Sequence, residues 1–334
     1  MSTKKMLVLV TLLVAAAFLT ACAGEAGPAG PAGPAGPEGP AGPAGEAAMA
    51  TDLTCTECHN DTSIITGKKV AWEGTKHGSG TAAAYAGGRG ACAACHSGGT
   101  FKAMVAEGSH PGVYEGEVLD VTHQDCRTCH EIHTSYTSED WALTTTDAVE
   151  LYAFEGVTYD GGTGNLCGVC HQPRRAIAEA DADGNIEVTS THWGPHHGPQ
   201  TAVLMGVGGA GDVEGAASGH VSLVENTCVS CHVGEGDSHS FYPSVASCQE
   251  CHADIEDFDF SGLVTEVDGL LAELLEKLEA EGMYEDHPVV GVYPAAKAQA
   301  MWNYILLAPE DASSGIHNPA YTKALLEWSL AQFE

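Results

Sequence analysis

The sequence predicts a mainly α-helical fold with extensive loops, wrapped around something other than side chains and finished by a C-terminal helical bundle. Three observations predict it. Only 7% of the 334 residues are aromatic while 41 are glycine, so a core of aromatic and branched side chains is thin for this length. The chain has thirteen cysteines and 17 histidines, and all but Cys22, His287 and His317 lie between residues 51 and 260. The last quarter carries apolar residues at helical spacing.

The first element, residues 1–21, reads as an export signal. Lys4 and Lys5 precede an apolar run from Met6 to Leu19 that is too short to span a bilayer comfortably. The run ends Leu19-Thr20-Ala21-Cys22, which resembles the lipobox of bacterial lipoproteins, with Cys22 as the lipidation site and membrane anchor. An ordinary secretory signal with an accidental cysteine is the alternative. Both readings take the chain out of the cytoplasm, and Ala23 after the cysteine is compatible with passage to the outer membrane. From Gly24 to Gly45 glycine recurs at every third position, mostly as Gly-Pro-Ala, the collagen pattern. The run is short, so residues 22–50 read as a semi-rigid stalk reaching roughly 70 Å at about 3.1 Å per residue, with trimerisation as the alternative. The formal net charge of −32 repels phosphate backbones and excludes nucleic acid as a partner.

Residues 51–260 carry one motif six times without a fixed period. It reads Cys55-Thr-Glu-Cys58-His59, Cys92-Ala-Ala-Cys95-His96, Cys126-Arg-Thr-Cys129-His130, Cys167-Gly-Val-Cys170-His171, Cys228-Val-Ser-Cys231-His232 and Cys248-Gln-Glu-Cys251-His252. Every cysteine except Cys22 belongs to one copy. Two thiols at this spacing reach the two vinyl groups of one haem, and the adjoining histidine becomes its proximal iron ligand. Zinc sites or disulfides compete as readings. Neither explains a histidine after the second cysteine six times in six. At 17 histidines in 334 residues the chance is about 5% per position, so the coincidence is of order 10⁻⁸. Six covalent haem c groups follow, with about 52 residues for each in the chain from Cys22 onward. At that ratio a stack of porphyrins forms the interior and polypeptide wraps it.

The second axial ligand separates an electron relay from an enzyme, because an open iron position binds substrate. Eleven histidines lie outside the motifs. His77, His133, His220, His239 and His317 rank first by context, and the His192–Gln200 cluster adds His196 or His197 ahead of His192. His133 follows His130 by three residues, and His317 directly precedes Asn318-Pro319, which reads as a helix N-cap and first-turn proline. His110, His123 and His287 read equally as surface residues or ligands. Met104 and Met205 are the methionine candidates. The acid-rich stretch Asp254–Asp259 reads as a solvated face.

Residues 261–334 are read as helices packed on the haem domain. Leu263, Val264, Val267, Leu270, Leu271, Leu274, Leu275 and Leu278 recur at helical spacing, and Gly282 is a stop. A second helix is predicted from Pro294 through Met301, Trp302, Ile305 and Leu306, and a third from Pro319 with Tyr321, Leu325 and Trp328 on one face.

With these residues in place the chain resembles the multihaem c-type cytochromes. His192 to Gln200, the Cys228–His232 region, Phe258-Asp-Phe-Ser-Gly262 and Gly315-Ile-His317-Asn-Pro319-Ala-Tyr321 are similar to the superfamily of pentahaem nitrite reductases, octahaem enzymes and pure electron carriers. The resemblance implies long C-terminal helices. In the nitrite reductases a Cys-x-x-Cys-Lys site holds the catalytic haem. All six sites here end in histidine, which favours the carrier branch. The expectation is a lipid-anchored or periplasmic relay of low potential, working between other redox proteins, such as an outer-membrane conduit, and an external acceptor. Two alternatives stay open: a reductase of a nitrogen or sulfur oxyanion at one five-coordinate haem, and a homo-oligomeric filament subunit.

Overall fold

The computed structural model describes residues 63–196, 198–234 and 238–334. The signal, the stalk, Cys22, the first motif (Cys55, Cys58, His59) and His197 lie outside the described residues.

The region up to Gly262 is built from short helices. α1 (Ser63–Glu73), α2 (Lys76–Ser79), α3 (Ala82–Ala86), α4 (Gly90–His96) and α5 (Gly98–Ala106) are joined by brief turns, and a long loop leads to α6 (Cys126–Cys129). α7 (Asn165–Cys170), α8 (Gln200–Met205), α9 (Gly219–Leu223), α10 (Cys228–His232) and α11 (Val245–Gln249) follow at wider spacing. Glycine and β-branched residues weaken several of these segments, and helices this short are marginal in water even where alanine favours them. Local caps help. The Asp125 carboxylate accepts from Arg127 N–H at the start of α6, and Ser218 Oγ accepts from His220 N–H at the start of α9.

Four of the five described motifs have both cysteines inside one such helix, and the sixth begins in α11 and ends in the turn that follows it, which is why the spacing works. Residues three apart on a helix share a face, so both thiols of a motif project to the same side. The histidine then closes the turn: the N–H groups of His130, His171 and His252 donate to the carbonyls of Cys126, Cys167 and Cys248 at 2.8–2.9 Å.

The remainder is different in kind. α12 (Leu263–Ala280), α13 (Ala295–Ile305) and α14 (Pro319–Leu330) run for 18, 11 and 12 residues. Gly282 has φ 66° just beyond α12, the left-handed conformation in which glycine ends a helix at little cost. A π-helical turn, Leu306–Asp311, extends α13 and contains Pro309. Asn318 caps α14 by accepting from Tyr321 N–H, with Pro319 in the first turn.

The three helices bury Val267, Leu274, Leu278, Met301, Trp302, Leu306, Leu325 and Leu326 in one apolar cluster. Ile186, Val188, Trp193 and Val203 from the preceding region join it. At about 1.5–3 kcal/mol per fully buried large side chain, this cluster is a conventional core. Polar anchors fix its register: Trp302 Nε1–H donates to the Gly208 carbonyl at 2.8 Å, and Asn303 exchanges two hydrogen bonds with the Ala210 backbone. A smaller cluster gathers Phe101, Met104, Leu151, Tyr159, Ala202 and Leu204, so Met104 is a core residue facing other side chains.

The mainly helical reading omits two antiparallel ribbons. β1 (Val149–Glu150) pairs with β2 (Thr158–Tyr159), and β3 (Asn185–Val188) pairs with β4 (Gly291–Pro294) in register Asn185 to Pro294. Pro294 therefore ends a strand, and the second long helix starts one residue later at Ala295. β3 alternates buried Ile186 and Val188 with exposed Glu187, the period of a half-buried strand.

Candidate functional site

The imidazole rings of four motif histidines each meet one histidine from outside the motifs. His96 faces His196 at a centroid separation of 6.1 Å, His130 faces His239 at 6.2 Å, His171 faces His77 at 6.1 Å, and His232 faces His317 at 6.4 Å. An imidazole nitrogen binds a metal at about 2 Å, so two rings on opposite sides of one ion have centroids ~6 Å apart. All four pairs stand at that separation. At the sixth motif His252 lies near enough to His220 to act on it electrostatically, and Phe260 packs on the His252 ring at 4.5 Å. No three His, Cys, Asp or Glu side chains converge as a metal cluster among the described residues. The donor set is pairs, as an axially ligated haem iron requires.

Ring orientation supports the same use. His130 Nδ1–H donates to the Trp141 carbonyl at 2.8 Å, His232 to the Phe241 carbonyl at 2.9 Å, His171 to Gln200 Oε1 at 3.0 Å and His317 to Asp311 Oδ1 at 2.7 Å. With Nδ1–H engaged, Nε2 is the lone-pair nitrogen, and second partners of this kind fix tautomer and aim in metal-binding histidines. Burial lowers the pKa of His77 to about 4, with His171 beside it pushing the same way. Burial likewise lowers His171, His220 and His232. These rings are neutral near pH 7, the form that ligates metal. His317 goes the other way. Burial, its largest influence, pushes it down, but the Asp311 carboxylate outweighs burial and raises it.

The sites adjoin one another. None of the ten described cysteines forms a disulfide. Cys95 of the second motif lies beside Cys170 of the fourth, and Cys167 of the fourth beside Cys228 of the fifth, near enough for each pair to act on one another electrostatically. Cys129 of the third motif acts on both thiols of the fourth, and Cys248 of the sixth acts on Cys231 of the fifth. The fourth motif thus stands among three others. Phe241 ties the group together: its ring packs on His77 at 5.1 Å and on His239 at 6.1 Å, while its carbonyl holds His232. Its φ of 58° is a strained value for a bulky residue, of the sort that persists where surrounding structure enforces it.

The remaining histidines are placed differently. His133 is exposed, stacks on Tyr136 at 5.8 Å, and has its backbone N–H held by the Asp140 carboxylate. His192 is exposed and its carbonyl accepts from Arg175, so within its cluster the described ring that meets a motif is His196. His287 is exposed. His110 stacks on Tyr152, and its Nδ1 accepts from Gly112 N–H. The Nδ1 of His123 is buried and has no hydrogen-bond partner. Gln200, Phe241 and Asp311 carry no motif. Sequence reading missed their roles because each acts through a contact that only the folded chain creates.

Two comparisons with known proteins return cytochromes. Residues 44–131 match the family model described as cytochrome c7 and related cytochrome c. No curated protein matches the chain. Among solved structures, the crystal structure of an outer cell wall cytochrome, OcwA, matches with a TM-score of 0.53 at 21% identity, over 80% of this chain and 50% of that one. The chain spans half the length of that cytochrome and shares its fold over the matched part. Among the described residues, no helix is long and apolar enough to cross a membrane.

Proposed function

We propose that this chain is an exported hexahaem c-type cytochrome that relays electrons, with each haem held between two histidines. The observation that carries the reading is the set of four ring pairs at 6.1–6.4 Å, each joining a motif histidine to a non-motif one. Bound haem supplies a reversible one-electron ferric–ferrous couple. The chain's own residues do the rest. The cysteine pairs of the six motifs fasten the porphyrins. His59, His96, His130, His171, His232 and His252 would hold the irons, joined by His196, His239, His77, His317 and His220 at the second to sixth motifs, and His133 is the remaining candidate for the first. Two protein ligands leave no open iron position, so the sites suit electron transfer and do not suit binding of an oxyanion substrate.

The name of the outer cell wall cytochrome and the lipobox-like Leu19–Cys22 support a place at the cell surface, tethered through Cys22. The partners are then other redox proteins, one of them an outer-membrane conduit. The acidic surface and paired histidines favour ferric iron and hence low potentials.

The test is to purify the full chain, count haems by pyridine haemochrome and intact mass, and record the ferric electron paramagnetic resonance spectrum. Six thioether-bound haems, all low-spin, with no carbon monoxide binding after reduction, are expected. His77→Ala should convert one haem to a high-spin, carbon-monoxide-binding form while the count stays at six. A colourless chain, or carbon monoxide binding in the unmutated protein, overturns the reading.

A further inference from the structure

The ring N–H groups of the paired histidines do not all meet the same kind of acceptor. His130 and His232 donate to backbone carbonyls and His171 donates to a side-chain amide, all of them neutral. His317 donates to a carboxylate, Asp311 Oδ1, at 2.7 Å. That carboxylate is enclosed, with 1% of its side chain exposed, and its second oxygen accepts from Ser313 Oγ. A hydrogen bond to an ionised acceptor is about twice as strong as one to a neutral acceptor, and it is stronger again away from water.

The backbone around Asp311 is shaped to make this contact. The π-helical turn Leu306–Asp311 carries Pro309 within it, and turns of this class are frequent at functional sites. Beyond it Ala312, Ser314 and Gly315 all have positive φ, at 53°, 47° and 87°. Non-glycine residues rarely adopt such values, and they mark strain that the surroundings hold in place. The reversal returns the chain so that His317 meets Asp311 six residues after it. Ser313 closes the turn from both sides, donating to Asp311 and accepting from His317 N–H.

The same turn reaches a neighbouring site. Gln200 Nε2 donates to the carbonyls of Glu310 and Asp311 at 2.9 and 3.3 Å, and its Oε1 accepts from His171. One segment therefore supplies a charged acceptor to the fifth motif's pair and, through Gln200, orients a neutral acceptor at the fourth motif's pair.

We infer that Asp311 is a positioning residue that makes the His232–His317 site more reducing than the adjoining His77–His171 site. The inference rests on the haem reading above. A carboxylate on Nδ1–H pulls that proton toward itself and makes Nε2 a stronger donor, and second partners tune a bound metal in this way. A stronger donor favours ferric over ferrous iron. The couple takes up one electron at the iron, no bond is made or broken, and the proton stays between His317 and Asp311. The two sites are neighbours, through the Cys167–Cys228 contact. The contrast gives the molecule a downhill direction from the fifth site to the fourth.

The experiment uses the full chain with its haems. Potentials are measured by spectroelectrochemistry with low-spin resonance signals followed at each step, for the unmutated protein and Asp311→Asn. Asparagine keeps the shape and one acceptor oxygen but removes the charge, so a purely structural role survives the change. One low-potential component should move upward while the other components hold and the count stays at six. Near-infrared magnetic circular dichroism of the unmutated ferric protein is the second measurement, for use if Asp311→Asn loses a haem or fails to fold. One charge-transfer band should lie at higher energy than the rest, the signature of imidazolate character. Six haems with unshifted potentials in Asp311→Asn overturn the inference, as do charge-transfer bands all at the neutral-imidazole position. Fewer than six haems in the unmutated protein instead overturns the reading beneath it.

Discussion

Residues 63–260 and residues 263–334 solve the problem of holding a shape by different means. In the first, the helices are 4–11 residues long and the motif-bearing turns are 4–7. Their convergent groups are thiols and imidazoles. In the second, helices of 11–18 residues bury leucines, Met301 and Trp302 against one another. The difference teaches where side-chain burial stops being the organising force. Short turns are not stable alone, and the tertiary partners they meet here are imidazoles from outside the motifs, thiols of other motifs and the small cluster around Phe101 and Tyr159. The long helices meet ordinary apolar side chains, and burial of that kind drives folding without any bound group.

The largest effect that would break this comparison comes from withholding haem. Chain produced without haem attachment should keep slow amide exchange in α12, α13, α14 and the β3–β4 ribbon, while the motif turns exchange freely. Equal protection across both regions would mean that side chains alone hold the motif region. The next effect sharpens the other side. Leu274 is fully buried in the long-helix cluster, so Leu274→Ala should lower stability by about 2–5 kcal/mol in denaturant titration, with the haem count unchanged. Smaller is Asn318→Ala. It removes the α14 cap, for about 1–2 kcal/mol, and also the Nδ2 bonds to the Val203 and Ala216 carbonyls. The smallest is Lys323→Ala. Its partner Glu266 is half exposed, and pairs of that kind contribute about 0–1 kcal/mol. A loss well beyond that would show that charge pairing, and not only burial, holds α12 to α14.

The same division governs how much was legible beforehand. The apolar period from Leu263 to Leu278, the stop at Gly282 and the Asn318-Pro319 start are local signals, and α12 and α14 follow them to within a few residues. The Cys-x-x-Cys-His spacing is local too, since one helical turn places both thiols together. Pairing is not local. His96 and His196 are a hundred residues apart, and β3 meets β4 across a similar span. Context separated His196 from His192 only weakly, whereas the fold does so by exposure and by the Arg175 contact. Asp311 was invisible as a functional residue because nothing in Leu306–Asp311 announces a π-helical turn. Its meaning comes from which nitrogen it meets.

Gly98 stands between the second and third motifs. A side-chain carbon there would come within 2.2 Å of Thr128 Oγ1 and 2.4 Å of the His123 carbonyl. The backbone after one motif is therefore seated against the Thr128 side chain of the next motif's helix and directly against the main chain at His123, just before that helix. Interleaved side chains give a little as they change rotamer, but two main chains in contact do not. The pitch between these neighbouring sites is thus gauged by an absent methyl group, and enlarging position 98 would wedge them apart without touching any ligand.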